Sequence, residues 1–238
     1  MDLWDVDIKR NLPFQGNSQY LYDRTTEGLG LLYAMHWPFR QFESARNARK
    51  SILHDRLVAA NACYGEVVGW ERANFFAPPG QKPEYGYSWG KQNWFEWSAA
   101  EHNAVRKTVG LFDQSSFAKI LVQGRDAMSV LNRICSNNID VEPGKIVYTQ
   151  WLNVRGGIEA DLTVTREAPD RFLVVTAAAT QVRDFAWLQR QIPQDARATA
   201  TDVSAGMAVL SLNQADFDAL RATIADPAPR RGLAAHIA

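Results

Sequence analysis

The chain has 238 residues, 46% hydrophobic and 22% charged, and its 26 Lys and Arg balance its 26 Asp and Glu. Zero net charge gives no electrostatic reason to bind nucleic acid or an anionic membrane. No stretch approaches the roughly 20 apolar residues of a membrane span. Two distant cysteines and an N-terminus without signal-peptide character predict a reduced, cytoplasmic protein without a disulfide framework.

The first third of the chain gives weak signals for regular structure. Residues 1 to about 70 indicate a helical and irregular segment that would not be a stable domain alone. From Gly69 to Trp97 the sequence is rich in proline, glycine and aromatic residues, which argues against regular elements. The aromatic residues are costly to expose, so we predict a structured wrapping segment at 71–97.

From Ser98 onwards the pattern alternates between helices and strands. Ser98 and Glu101 have capping-box spacing, which predicts a helix starting at Ser98. A strand at Ala118 to Gln123 is followed by a helix, two strands around Gly156-Gly157, and a further strand in "DRFLVVTA". The segments "ATQVRDFAWLQRQI", "AGMAVLSLN" and "QADFDALRATI" then predict a helix, a strand and a helix. This order predicts an α+β fold with a mostly antiparallel sheet and packed helices.

The most informative segment is "WLNVRGGIEADLTVTR", Trp151 to Arg166. Its period of two predicts a strand with two different faces. One face is apolar and carries Ile158, Ala160, Leu162 and Val164, and the other is polar and carries Glu159, Asp161, Thr163 and Thr165. Taken alone, an acid in such a pattern is usually a solvated surface residue.

Several motifs of known chemistry are absent from the sequence. No GxGxxG follows a predicted strand, and there is no P-loop. The four histidines lie far apart and none has metal-ligand spacing to Cys, Asp or Glu, so we predict no metal site.

Four segments together carry a family resemblance: "GWERANFF", "EHNAVRKTVGLFDQSSFAKILVQG", "YTQWLNVRGGIEADLTVTR" and "FLVVTAAAT". They resemble the folate-binding domain of dimethylglycine and sarcosine dehydrogenases. That domain is similar to the aminomethyltransferase, or T-protein, of the glycine cleavage system. The segments "DLWDVDIKR" and "HWPFRQFESARNARKSILHDRL" resemble the end of the flavin-dependent oxidase half of the same dehydrogenases.

The resemblance implies a division of the chain. Residues 1–70 would be the C-terminal remnant of the oxidase half, and 98–224 the N-terminal half of the folate-binding fold. Residues 225–238 would form a loose tail. Both flanks of the family's full architecture are expected to lie outside this sequence, and FAD is expected only in the preceding half.

The resemblance also implies a site. Asp161 matches the acid that orients or accepts protons in one-carbon transfer to tetrahydrofolate. Tyr148, Thr165 and Thr176 are the expected cofactor-binding residues. For Tyr148, stacking on the folate rings and packing in the core remain equal alternatives. Glu159 is expected to be a surface or network residue.

Two functions follow as alternatives. In the first, the chain transfers a one-carbon unit from a small methylated-amine-derived iminium to reduced folate, giving 5,10-methylene-tetrahydrofolate. In the second, it is an inactive fragment or a partner subunit that needs a separate flavin-containing chain. Neither reading involves nucleic acid or a membrane.

Overall fold

The computed structural model describes residues 6–107 and 110–212. The helices within this part of the chain are α1 Ser18–Leu31, α2 His54–Ala59, α3 Phe95–Lys107, α4 Ala127–Ile134 and α5 Gln181–Gln191. The strands are β1 Ala62–Val67, β2 Trp70–Phe76, β3 Leu111–Asp113, β4 Ala118–Gln123, β5 Ile146–Leu152, β6 Ile158–Ala168, β7 Arg171–Thr176, β8 Thr199–Asp202 and β9 Leu210–Leu212. No helix in these two ranges is long and apolar enough to cross a bilayer.

The chain forms two compact units. Among the described residues, the first contains 6–12 and 116–207, and the second contains 13–107, 110–115 and 208–212. The second unit is discontinuous because β3 pairs antiparallel with β9, about a hundred residues later along the chain. The predicted segments 1–70, 71–97 and 98–224 do not coincide with these units, and their assignment to separate domains stays a prediction.

The first unit is built on a five-stranded sheet with strand order β5-β6-β7-β4-β8. Every neighbouring pair in it is antiparallel. The predicted α+β fold with a mostly antiparallel sheet is therefore confirmed. Strand β8 was not predicted, because "TATD" is short and only one of its four residues is even partly buried.

One face of this sheet carries the hydrophobic core. Helices α4 and α5 contribute Leu131 and Leu188, both fully buried, to a cluster with the apolar side chains of the sheet. Trp151 on β5 is fully buried and stacks on Trp187 of α5, with 5.4 Å between the ring centroids. The cluster also includes Ile120, Val122, Leu162, Val164, Phe172 and Val174. We name this side of the sheet the core face.

The second unit contains the hairpin β1–β2 and an aromatic cluster. Phe75 is almost fully buried and has ring contacts with Tyr85, Trp94 and Trp97. These contacts hold a proline- and glycine-rich stretch without regular elements, as predicted for the wrapping segment. The prediction was wrong at its start, where Trp70–Phe76 form β2, because the backbone of these residues pairs antiparallel with β1.

The predicted start of the helix at Ser98 was also wrong. Helix α3 begins at Phe95, and the Ser98 N–H already donates to the Trp94 carbonyl at 2.9 Å. Glu101 does not close a capping box, because its carboxylate accepts the N–H of Phe76 at 2.8 Å. The Glu101 carboxylate thus makes a tertiary hydrogen bond instead of the local one that the sequence pattern predicts at the helix N-terminus.

The end of the chain differs from the prediction as well. In the described part of the predicted strand "AGMAVLSLN", residues 205–212, only Leu210–Leu212 are in a strand, and β9 pairs with β3 rather than joining the main sheet. The predicted helix "QADFDALRATI" and the tail at 225–238 lie outside the described residues.

Candidate functional site

The site predicted from the sequence lies on the hairpin β5–β6. A loop of five residues joins the strands, and Gly156 in it has a φ of 78°, a conformation that glycine adopts without strain. Asn153 closes the loop: its Oδ1 accepts the N–H groups of Arg155 and Gly157, each at 3.0 Å. The Gly-Gly sequence therefore serves the turn, as expected.

A β-bulge next to the loop sets the register of the hairpin. Leu152 pairs with Ile158, but Trp151 pairs with Ala160, so Glu159 is an extra residue on β6. The prediction that Ile158 joins the apolar face was wrong, since its side chain is 67% exposed. The bulge breaks the alternation between Ile158 and Ala160, while Ala160, Leu162 and Val164 keep their places on the core face.

The bulge also brings Gln150 opposite Asp161 on the other side of the sheet, which we name the outer face. Gln150 Nε2 donates to Asp161 Oδ1 at 3.2 Å. The same amide is fixed at its other end, because Gln150 Oε1 accepts the Ser136 hydroxyl at 3.0 Å. This chain of contacts orients one carboxylate oxygen of Asp161, whose side chain is exposed.

Tyr148 lies on the outer face next to this carboxylate. It pairs with Thr163 across the hairpin and is 59% exposed, so it is not a core-packing residue. The hydrogen bond and negative charge of Asp161 raise the pKa of the Tyr148 hydroxyl. An exposed ring beside a carboxylate is a surface on which a flat molecule can stack.

Thr165 lies on the outer face of β6, two residues after Thr163 and four residues after Asp161. It pairs with Ile146 and Leu173 and is only 6% exposed. Within the described part of the chain, its hydroxyl has no hydrogen-bond partner. Burying a hydroxyl without a partner is costly, and a ligand that bonds to it would remove that cost. Among the predicted cofactor-binding residues, Thr165 is the one whose hydroxyl has no partner in the described part of the chain.

Thr176 lies on the core face, opposite to the other three predicted residues. It follows Val174 by two positions on β7, and it is 3% exposed. Its hydroxyl donates to Asp184 Oδ2 at 2.6 Å, and the hydroxyl of Thr180 donates to the same oxygen at 2.7 Å. Burial raises the pKa of Asp184, although the two threonine hydrogen bonds oppose this effect. The structure therefore does not bring Thr176 together with Asp161, and a direct contact of Thr176 with folate stays a prediction.

Glu159, the bulge residue, takes part in a local network. Its Oε1 accepts Asn153 Nδ2 at 2.8 Å, and its Oε2 lies 3.5 Å from Arg183 Nη2. Arg183 Nη2 also donates to the Glu159 carbonyl at 2.6 Å. These contacts tie the turn to α5 and occupy the carboxylate.

Sequence reasoning missed Gln150, Ser136 and Asp184. An unbulged hairpin would pair Gln150 with Ala160, so the contact with Asp161 could be found only by recognising the bulge. Asp184 is buried on the inner side of the amphipathic helix α5. The sequence signal that could have found it is the spacing of four residues from Thr180. In the described ranges, no group of three or more His, Cys, Asp or Glu could hold a metal ion.

The outer-face residues together suit one kind of ligand. They offer an exposed aromatic ring, an oriented carboxylate and a buried hydroxyl without a partner. A carboxylate accepts hydrogen bonds or protons from amines, and the ring favours a planar partner. The combination fits a flat heteroaromatic molecule that carries N–H groups.

Comparisons with known proteins identify the family of the chain. Residues 53–215 match the model of the GCVT N-terminal domain, and residues 1–51 match the FAD dependent oxidoreductase central domain. The 4-methylaminobutanoate oxidase (formaldehyde-forming) of Paenarthrobacter nicotinovorans is 49% identical over 87% of this chain and 25% of its own length. The mitochondrial pyruvate dehydrogenase phosphatase regulatory subunit of Mus musculus is 32% identical over 89% of this chain and 25% of its own length.

Mammalian dimethylglycine and sarcosine dehydrogenases are also similar, at 27% to 29% identity. The crystal structure of the glycine cleavage system aminomethyltransferase T from Bartonella henselae has the same fold. Its TM-score is 0.61 and its identity 24%, over 77% of this chain and 45% of that one.

The chain thus spans about a quarter of the length of its curated relatives. The family match over 53–215 covers more than half of the sequence, and the predicted resemblance is confirmed. The chain belongs to the GCVT N-terminal domain family of folate-binding domains, and its residues 1–51 match the FAD dependent oxidoreductase central domain.

Proposed function

We propose that this chain is the folate-binding, one-carbon-transferring part of an FAD-dependent amine oxidase or dehydrogenase. The reaction would move the methylene carbon of an iminium of a small methylated amine to tetrahydrofolate, giving 5,10-methylene-tetrahydrofolate and releasing the small amine, which takes up the two protons that the folate nitrogens lose. The observation that carries the proposal is the exposed carboxylate of Asp161, oriented by Gln150 and adjacent to Tyr148. The relatives named as amine oxidase and dehydrogenases support the substrate class.

The residues present fit a folate. Tetrahydrofolate supplies a planar ring system and the secondary amines that take up a one-carbon unit. Tyr148 offers the exposed ring for stacking, and the Thr165 hydroxyl offers a buried hydrogen bond that the described chain does not itself use. We do not include Thr176 among the residues in direct contact, because its hydroxyl is already bonded to Asp184.

Asp161 would act on protons. The carboxylate accepts the Gln150 amide at Oδ1 and is also hydrogen-bonded to the Tyr148 hydroxyl, and its remaining lone pairs can accept a hydrogen bond from an incoming amine. A carboxylate at this point would stabilise the ammonium formed when the neutral folate amine attacks carbon, accept its proton and pass it to the departing amine. Gln150 is a positioning residue. Its side-chain amide cannot flip by 180° without losing its hydrogen bond from Ser136, so it holds the Asp161 carboxylate in one orientation.

The test uses Asp161→Asn with Glu159→Gln as the matched control. Both changes replace one acid of β6 by its amide, but Glu159 is engaged with Asn153 and Arg183. Tetrahydrofolate binding is measured by isothermal titration. Formation of 5,10-methylene-tetrahydrofolate from formaldehyde is followed after subtracting the rate without protein.

We expect the wild type to bind tetrahydrofolate and to accelerate transfer, and Asp161→Asn to lose about 100-fold in rate, the scale of general acid–base catalysis. Glu159→Gln should keep most of the rate. A well-folded wild type that does not bind tetrahydrofolate would rule out the proposal.

A second candidate is a non-catalytic regulatory or partner subunit. It is favoured by the similarity to a protein named as a regulatory subunit of pyruvate dehydrogenase phosphatase. Under this alternative, the wild type binds tetrahydrofolate without accelerating transfer, and Asp161→Asn changes affinity alone.

The proposal also places the protein in the cytoplasm. The two cysteines support this location, since both are free thiols, and burial raises the pKa of each to about 11.

A further inference from the structure

The first five residues of β6, 158–162, are paired with only one neighbouring strand. All but Glu159 have a partner on β5, whereas the pairing with β7 begins at Thr163. Glu159, the bulge residue, has no opposite residue on either neighbouring strand of the described sheet. A bulge disrupts the ladder locally and leaves its extra residue unpaired. The position of Asp161, two residues further along, therefore depends on contacts from outside the sheet as well.

Arg183 of α5 provides such a contact. Its Nη2 donates to the Glu159 carbonyl at 2.6 Å and lies 3.5 Å from Oε2 of the same residue. A hydrogen bond from an ionised donor is about twice as strong as one between neutral groups. The ion pair adds little, because both side chains are partly exposed. The main contact is therefore with the backbone of the bulge, and it does not depend on the side chain of Glu159.

Helix α5 gives Arg183 a fixed base. Trp187 of this helix stacks on the fully buried Trp151 of β5. In the first turn of the helix, Gln181 Nε2 donates to Asp202 Oδ2 of β8 at 2.6 Å. The helix is thus held at both ends of the sheet order, on β5 and on β8. A side chain that extends from such an element can restrain a less firmly paired strand.

We propose that Arg183 is a positioning residue for the one-carbon transfer: it holds the backbone of the bulge and so keeps Asp161 opposite Gln150. The inference rests on the proposed function of Asp161. Arg183 extends from a helix that packs on the core face, whereas Asp161 lies on the outer face, so Arg183 acts through the strand and not on the folate. Displacing a catalytic group by about 1 Å can cost about 100-fold in rate, so a small shift of the bulge is sufficient to lower activity.

The test compares substitutions in the full chain. Arg183→Met removes the guanidinium and keeps an extended side chain. Arg190→Met is the matched control, because Arg190 is an exposed arginine of the same helix. Glu159→Gln removes the charge of the ion pair but keeps the carbonyl that Arg183 binds. The kcat of transfer from formaldehyde and the KM for tetrahydrofolate are measured for each variant, and urea unfolding measures stability.

We expect Arg183→Met to lower kcat about tenfold, with a change of less than about twofold in KM, as for a catalytic group displaced by a fraction of an ångström. Arg183→Lys keeps one cationic donor and should recover part of this loss. Arg190→Met and Glu159→Gln should keep most of the rate. In a Gln150→Ala background, Arg183→Met should lower kcat by less than about threefold more, because both changes release the same carboxylate.

Hydrogen exchange gives a readout that needs no folate. In Arg183→Met, the backbone amides of 158–162 should exchange faster than in the wild type, while those of β7 should be unchanged. A purely structural role would lower stability and leave the kcat of the folded variant unchanged, and this result would overturn the inference. Rate losses that add fully to those of Gln150→Ala would also overturn it. If Arg183→Met does not fold, Arg183→Gln, with a shorter and uncharged side chain, repeats the series.

Failure of this inference is distinguishable from failure of the proposed function. A wild type that neither binds tetrahydrofolate nor accelerates transfer contradicts the proposed function, and with it the role of Arg183 in transfer. An active wild type with an equally active Arg183→Met contradicts the inference alone.

Discussion

Two buried threonines in the same sheet should respond in opposite ways to the same substitution. Thr165 on the outer face and Thr176 on the core face are both more than 90% buried. Thr→Val keeps the shape of the side chain and removes the hydroxyl. The Thr176 hydroxyl donates to the buried carboxylate of Asp184 at 2.6 Å, whereas the Thr165 hydroxyl has no partner among the described residues.

The magnitudes follow from these contacts. A hydrogen bond to an ionisable group contributes about 1.5–3 kcal/mol, so Thr176→Val should lower the free energy of unfolding by about 2 kcal/mol. Asp184 retains its bond from Thr180, which keeps the loss near the middle of this range. A buried hydroxyl without a partner costs about 1–3 kcal/mol, so Thr165→Val should be neutral or should stabilise the fold by up to about 1 kcal/mol.

Urea unfolding followed by tryptophan fluorescence measures the change in the free energy of unfolding. Isothermal titration measures the change in affinity for tetrahydrofolate. Thr165→Val should weaken binding about threefold to tenfold, the value of one neutral hydrogen bond. Thr176→Val should bind like the wild type. The reasoning fails if Thr165→Val destabilises the fold as much as Thr176→Val, or if Thr176→Val abolishes binding without loss of stability.

Three further predictions concern neighbouring residues. Burial raises the pKa of Asp184 in the folded state, so its contribution to stability is present at low pH and is lost as the pH rises through that pKa. Asp184→Asn should therefore gain stability relative to the wild type between acidic and neutral pH, and a difference independent of pH in parallel urea titrations would contradict this. Gln150→Ala should lower the transfer rate about tenfold or more with little change in the affinity for tetrahydrofolate, and rescue by Gln150→Asn or a pure affinity effect would argue against a positioning role. Gly124→Ala should cost more than about 3 kcal/mol, because φ is +130° and a Cβ would collide with the Arg197 carbonyl. At Gly156 a Cβ would meet open space, so Gly156→Ala should lower the free energy of unfolding by only about 1 kcal/mol. Thermal denaturation of both glycine variants measures the difference.

The strands of the main sheet could be predicted because their signal is local. Period-two alternation and the Gly-Gly turn gave β4, β5, β6 and β7 close to their observed bounds, and amphipathic spacing gave α4 and α5. The predicted antiparallel character follows from the short turns between these strands. Predictions failed where the local signal was weak or misleading, for example at β8 and at the capping box of Glu101, whose carboxylate bonds to β2 instead.

Within the site, the sequence determined which residues of β6 alternate and that Asp161 lies opposite to the core side chains. It could not determine the register of the hairpin, because a bulge adds one residue without changing the composition of the strand. That single residue decides that Gln150, rather than Thr149, faces Asp161.

The faces of different strands were also beyond the sequence. Each strand has two faces, but only the pairing of β6 with β7 shows that Thr165 and Thr176 lie on opposite sides of the sheet. Helix α1 is a similar case: its sequence shows apolar and charged residues, and only packing reveals that Arg24 contacts Glu66 and that Glu27 accepts backbone N–H groups of residues 43 and 44. Local periodicity thus determined most elements of the main sheet, and the family resemblance singled out Asp161. Strand register and packing depend on contacts between residues far apart in the chain, and these decided which groups meet at the site.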